Sequence, residues 1–165
     1  MEQKKQVVAL SDIRSYLMKQ EWITVIVILI VVLPIFYHAF FAADALWNKI
    51  AGSGCCLLGL YGLAVTFRNM QELRKNTFFT ARTDTLEDKE QDVYSFHHRR
   101  SRNRLYFGKG HYDIYRYNGT HPLYDMQMQA LYDTAFIDDS FTLICHRKHV
   151  LFAFNNKLYE IENDL

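Results

Sequence analysis

The sequence predicts a membrane α + β protein: a two-helix transmembrane hairpin followed by a small antiparallel β-rich cytosolic domain, a sheet or open barrel with room for one short helix. Three observations predict it. Residues 23–41 (ITVIVILIVVLPIFYHAFF) and 50–67 (IAGSGCCLLGLYGLAVTF) carry no charged side chain, and about 20 apolar residues suffice to cross a ~30 Å hydrocarbon core. Only the eight residues 42–49 separate them, so the two helices must run antiparallel. From residue 77 onward, short aromatic and β-branched runs alternate with turn residues, the composition of an antiparallel meander. The mean hydropathy of −0.15 averages these unlike parts and conceals both.

The first segment, 1–22, is expected to be cytosolic. Within it, SDIRSYLMKQE (11–21) predicts a short amphipathic helix capped by Ser11, with Ile13, Tyr16 and Leu17 on one face. The apolar run that follows exceeds the 7–15 residues of a cleavable signal core, and a second run follows at once, so it reads as a signal anchor. Residues 23–76 form the hairpin and a helical extension beyond it. Asp44 is placed to cap the second helix, and Pro34 to kink the first. Trp22 and Trp47 fall where interfacial indoles are favoured. His38 sits close to the interface, where solvation accounts for it.

Charge orients the pair. Lys4, Lys5, Arg14 and Lys19 precede the first span; Arg68, Arg74, Lys75 and Arg82 follow the second; the loop between them carries only Lys49. The positive-inside rule then places both termini in the cytoplasm; the expected location is the inner membrane of a bacterium. The second span carries small residues at Ala51, Cys55, Gly59, Gly62 and Thr66. Such a stripe lets a second helix approach closely, either the chain's own first span or a helix of another copy or partner.

Residues 77–165 form the β-rich domain. The acidic stretch from Asp84 to Asp92 reads as a solvated loop. VYSF, RLYF, YDIYRY, FTLICH, HVLFAF and KLYEI read as strands. Turns are expected at Gly108-Lys109-Gly110, Asn118-Gly119, Arg147-Lys148 and Asn155-Asn156. PLYDMQMQALYD (122–133) fits either a short helix opened by Pro122 or an irregular strand. A domain of fewer than 90 residues buries a limited core.

Composition narrows the function classes. The 19 basic and 18 acidic residues nearly cancel, so no net field draws the chain to nucleic acid, and none is expected as a partner. Three cysteines, two of them adjacent, exclude a disulfide framework. No G-x-S-x-G, phosphate-loop, H-E-x-x-H or C-x-x-C pattern occurs, and no cofactor is expected.

Three features remain as candidate sites. His146 and His149 flank the Arg147-Lys148 turn and would face each other across a hairpin, the start of a metal site that needs further ligands, or simply a polar pair at its tip. HHRRSRNR places Arg99, Arg100, Arg102 and Arg104 together. These suit lipid or ligand phosphate, whose oxygens an arginine fork grips in pairs, or a solvated turn balancing the acids before it. Tyr112, Tyr115 and Tyr117 belong to a tyrosine-rich strand that suits either packing or a partner surface.

No family is recognisable at the level of residues. Two spans with a cytosolic β-domain recur in unrelated bacterial proteins, including immunity or exclusion proteins, membrane-anchored pleckstrin-homology-like domains and nucleotide-triggered β-barrel effectors; such likeness of architecture carries no function by itself. The leading expectation is a non-enzymatic interaction module that holds a protein partner at the inner face of the membrane, for instance as an immunity or exclusion protein. The alternatives are a ligand-gated membrane effector sensing a phosphate-containing ligand, and a membrane-bound enzyme using a metal or histidine.

Overall fold

A computed structural model describes residues 5–42, 45–75, 77–94, 101–115, 121–124 and 126–162. The chain divides into two compact units, Arg14–Phe78 and the combination of Met1–Ile13 with Phe79–Leu165. The boundary therefore falls inside the first helix, and the N-terminal residues belong with the β-rich unit.

The helical unit contains most of α1 (Leu10–Tyr37), a π-helical turn (His38–Ala42) and α2 (Leu46–Arg74). The short helix expected at 11–21 is the opening of α1 itself, which starts at Leu10 and runs unbroken past Pro34. Asp44 lies outside the described residues; the N-cap of α2 is Ala45, which makes no side-chain cap. At 28 and 29 residues the helices are each about 42 Å long at 1.5 Å per residue. Both are long and apolar enough to cross a membrane.

The two helices meet along one narrow seam. On α1 the sheltered positions are Glu21, Val25, Ile28, Val32, Ile35 and, in the π-turn, Ala39. On α2 they include Gly52, Cys56, Gly59, Leu63, Thr66, Met70 and Leu73. Alternating steps of three and four are the spacing by which helices keep a seam facing a partner. Glycine permits the approach: a Cβ at Gly59 would fall 2.4 Å from Val32 Cγ2, and one at Gly52 2.2 Å from the Ala39 Cβ. At one end of the pair, Asn69 Nδ2 donates to Glu21 Oε1 at 3.0 Å. All other faces of the pair point outward, including Leu33, Leu57, Leu58 and Tyr61.

The β-rich unit is built on a five-stranded antiparallel sheet, ordered β4-β3-β2-β5-β6. Its strands are β2 (Thr80–Tyr94), β3 (Ser101–Phe107), β4 (Gly110–Tyr115), β5 (Ser140–His146) and β6 (His149–Asn155). The acidic stretch expected as a loop is the middle of β2. Thr83 and Thr85 face outward and Leu86 is fully buried; the register shift after Leu86 then reverses the alternation, so that Asp88 and Glu90 also occupy the solvent face of the strand. Residues 80–85 of β2 pair with β5, and residues 86–94 pair with β3. Register shifts after Leu86 and Glu90 bend β2 between these partners, as bulges do, and the sheet curls until it is nearly closed.

The concave face carries Leu86, Leu105, Phe107, Ile114, Phe141 and Leu143, all buried, with Phe107 and Phe141 edge to face at 5.4 Å. The short helix α3 (Met128–Asp133) buries Met128, Leu131 and Tyr132 and is joined to β3 where Asn103 Nδ2 donates to Gln129 Oε1 at 3.0 Å. Ile144, Phe152 and Phe154 lie on the opposite face of β5 and β6 yet are buried too. Tyr159 packs edge to face on Phe154.

Tyr159 opens β7 (Tyr159–Glu162), which pairs in parallel with β1 (Gln6–Ala9). The N-terminal strand was not legible in the sequence, and the Asn155-Asn156 turn does not close a hairpin onto β6. Neither asparagine takes positive φ. Instead Asn155 Oδ1 accepts from the Lys157 N–H, and Asn156 is tied to β5 through Ser140 and Thr142, so the chain turns away from β6 toward β1. Arg147-Lys148 is the tight turn expected, with Arg147 at φ 54. Gly108-Lys109 joins β3 to β4. Asn118-Gly119 lies outside the described residues.

Candidate functional site

Two features of the β-rich unit stand out: the seam where the sheet fails to close, and a loop held against β2 in the chain between α3 and β5.

β4 and β6 are the ends of the sheet order, yet they nearly touch. A Cβ at Gly110 would lie 3.4 Å from Val150 Cγ2 and 4.0 Å from the Lys148 carbonyl oxygen. Farther along, Tyr124 fills the gap. Its hydroxyl accepts from the Ala153 N–H (3.3 Å) and lies 3.2 Å from the Ala153 carbonyl, to which it donates. The Tyr112 hydroxyl of β4 is 3.5 Å away. Burial, reinforced by Tyr112, pushes the Tyr124 hydroxyl well above its usual pKa, so it stays a neutral donor. At the hairpin end the seam opens as a cleft of about 330 Å³ lined by Gly110, His111, Tyr112, Asp113, Lys148, His149, Val150 and Leu151.

The loop is organised by Asp139, which is 3% exposed. Its carboxylate accepts from the Phe136 N–H (3.1 Å) and Asn155 Nδ2 (3.0 Å) and pairs with the Lys157 ammonium. Burial pushes this carboxyl up, but Lys157, the Phe136 N–H and Asn155 outweigh burial and hold it below its usual value. The backbone is fixed as well: Leu86 N–H donates to Asp139 O, and Asp138 N–H, at a φ of 69, donates to Leu86 O, both at 2.9 Å. Lys89 Nζ donates to Ala135 O at 2.9 Å. The loop so built displays Phe136 and Ile137, which are 64% and 56% exposed.

The residues singled out in the sequence are distributed differently. Arg102 and Arg104 both pair with Asp113 at 2.7 Å, on side chains only 16–18% exposed. Hydrogen bonding to Asp113 raises the Arg104 pKa further, and its guanidinium lies 5.7 Å from the Tyr106 ring centroid. Tyr106 in turn donates to Glu90. Arg99 and Arg100 lie outside the described residues. His146 and His149 are directly paired in register, as the turn requires, and no group of three or more metal-ligating side chains occurs among the described residues.

Tyr112 is 7% exposed with its hydroxyl 3.5 Å from that of Tyr124, so it serves chiefly in packing and reaches the surface only where it lines the β4–β6 cleft. Tyr117 and the side chain of Tyr115 lie outside the described residues. In the helical unit, Gly59, Gly62 and Thr66 take part in the seam with α1, whereas Ala51 and Cys55 are exposed. The positions that replace them are Gly52 and Cys56, one residue later on the helix. The heptad step from Gly52 through Gly59 and Thr66 to Leu73 was the available signal for this face.

Tyr124, Asp139 and the Phe136-Ile137 pair were not singled out in the sequence. Only Asp138-Asp139 before a strand carried a turn signal. The chain matches no protein-family model, no curated protein and no solved structure.

Proposed function

We propose that this chain is a membrane-anchored, non-enzymatic interaction module. The hairpin spans the cytoplasmic membrane with both termini inside, and the β-rich unit binds a protein partner at the inner face. One observation carries the anchor: within residues 23–41 and 50–67, α1 and α2 use a single narrow seam for each other and turn their other large apolar side chains outward. Apolar surface on that scale is a liability in water and is satisfied by lipid. The preponderance of Lys and Arg outside the spans over the single Lys49 between them supports the orientation.

Partner binding is favoured over phosphate sensing by the state of the arginines. Two of the four candidates are already neutralised in part by Asp113, while the rigid loop leaves two large apolar side chains in solvent. Immunity or exclusion against an incoming factor is one concrete form of such a module.

The test is fractionation with topology mapping. The chain is expected to stay with membranes through a carbonate wash. In a background with Cys55 and Cys56 changed to alanine, Lys49→Cys should label with an impermeant maleimide on intact spheroplasts, and Lys75→Cys only after permeabilisation. Release by carbonate, or labelling of both positions in intact cells, overturns the reading.

A further inference from the structure

We infer that the β-rich unit docks onto a second copy of itself, head to tail, with the Phe136-Ile137 loop of one copy seated in the β4–β6 cleft of the next. The inference rests on the interaction-module reading and names its partner.

The loop is a preorganised knob. Its backbone is held by Asp139 and Leu86 as described, so little ordering entropy opposes binding. Its charge is negative: Asp133 and Asp138 flank the apolar pair and are exposed. Among the described residues, the cations that reach the loop are engaged, Lys89 on Ala135 O and Lys157 on Asp139. An acidic, apolar knob is poorly matched to an anionic lipid surface, which attracts basic segments. It calls for an apolar recess with a cationic rim.

The β4–β6 cleft has that character. Gly110 leaves its floor open, Val150 and Leu151 are apolar, and Lys148, with His149 and His111 beside it, edges the mouth. Asp113, the carboxylate among its described lining residues, is committed to Arg102 and Arg104. Its volume of about 330 Å³ leaves room for bulky side chains such as these. Self-insertion within one chain is excluded by geometry. The knob precedes Ser140 and the cleft adjoins His146, the two ends of β5, about 20 Å apart at ~3.3 Å per residue. A contact between unlike surfaces of identical chains is heterologous, and it propagates into a ring or a row. One such contact is small and weak in dilute solution; tethering the copies to one membrane raises their effective concentration.

The experiment uses the full chain, with Cys55 and Cys56 replaced by alanine, reconstituted in phosphatidylcholine vesicles. Ile137→Cys protein is mixed with Leu151→Cys protein and oxidised. The expected result is a mixed disulfide dimer at least tenfold above that from Ile137→Cys mixed with Thr85→Cys, and its loss when Lys148→Glu is added to the Leu151→Cys partner. Lys148 is exposed in a turn, so that change leaves the fold intact. Equal yields for the matched and unmatched pairs overturn self-docking. So does a different captured protein whose binding is lost in Phe136→Asp and competes with the mixed dimer; that outcome leaves the interaction-module reading standing. Loss of the chain from the vesicles on carbonate washing instead counts against the anchor.

Discussion

The Tyr124 hydroxyl serves both backbone polar groups of Ala153, accepting from its N–H at 3.3 Å and donating to its carbonyl at 3.2 Å. A β-sheet edge is a row of unpaired donors and acceptors, and here a side chain takes the place of a neighbouring strand. Tyr124→Phe keeps the ring, its 4.9 Å stack on Phe154 and its edge-to-face contact with Tyr159. It leaves two buried backbone groups without partners, at about 1–3 kcal/mol for each such group. The expected outcome is a lower denaturation midpoint and faster amide exchange at Ala153, with exchange across the β2–β5 pairing changed much less.

Gly52 faces Ala39 so closely that a Cβ would lie 2.2 Å from the Ala39 Cβ. Alanine at position 52 would gain up to ~1 kcal/mol of helix propensity, yet overpacking typically costs about 1–3 kcal/mol. Rotation cannot move a Cβ, so the backbones must part and the steric cost wins. Gly52→Ala should lower the thermal stability of the hairpin in detergent. Gly54→Ala, where nothing lies within 4 Å, should leave it unchanged or raise it.

Asp139→Asn keeps the shape of the loop organiser and removes its charge. Hydrogen bonds to charged groups contribute about 1.5–3 kcal/mol each, and the buried carboxylate has three partners. Stability of the variant should fall by a few kcal/mol, read by chemical denaturation. Because the folded pKa lies below the usual 3.8, the native contribution is present in full above that value and disappears as pH falls through the folded pKa. The variant should therefore lose this acid dependence along with the stability.

His121 is expected to act at a milder pH. Desolvation lowers its pKa from 6.5, its ring lies against Tyr124 and Phe152, and its Nδ1 accepts from the Leu123 N–H at 3.2 Å. A lowered folded pKa means that the unfolded chain takes up the proton first. Stability is thus complete above about 6.5 and declines as pH falls through the folded value. Thermal midpoints at pH 7.5 and 5.5 should differ, and His121→Phe should shrink that difference. An undiminished slope in the variant would assign the pH dependence elsewhere.

The sequence by itself determined what depends on neighbours along the chain. Two uncharged runs with a short connector dictate an apolar helical hairpin, because helix length and lack of charge are local properties. Alternation and tight turns likewise marked β5 and β6 and the hairpin between them. Tertiary structure decided everything that depends on distant partners. Asp84 to Asp92 became strand because β5 and then β3 supply its hydrogen bonds, with Asp88 and Glu90 on a solvent face. Gln6–Ala9 became a strand only because Tyr159–Glu162 pairs with it from the far end of the chain. The helix-packing face shifted by one residue, from Ala51 and Cys55 to Gly52 and Cys56, because the partner helix selects the face and both stripes are small. Tyr112, outwardly a candidate for a surface, is buried at the β4–β6 seam. That seam, the Tyr124 plug and the Asp139-held knob arise where strand edges and loops meet across the fold, and spacing along the chain does not encode such meetings.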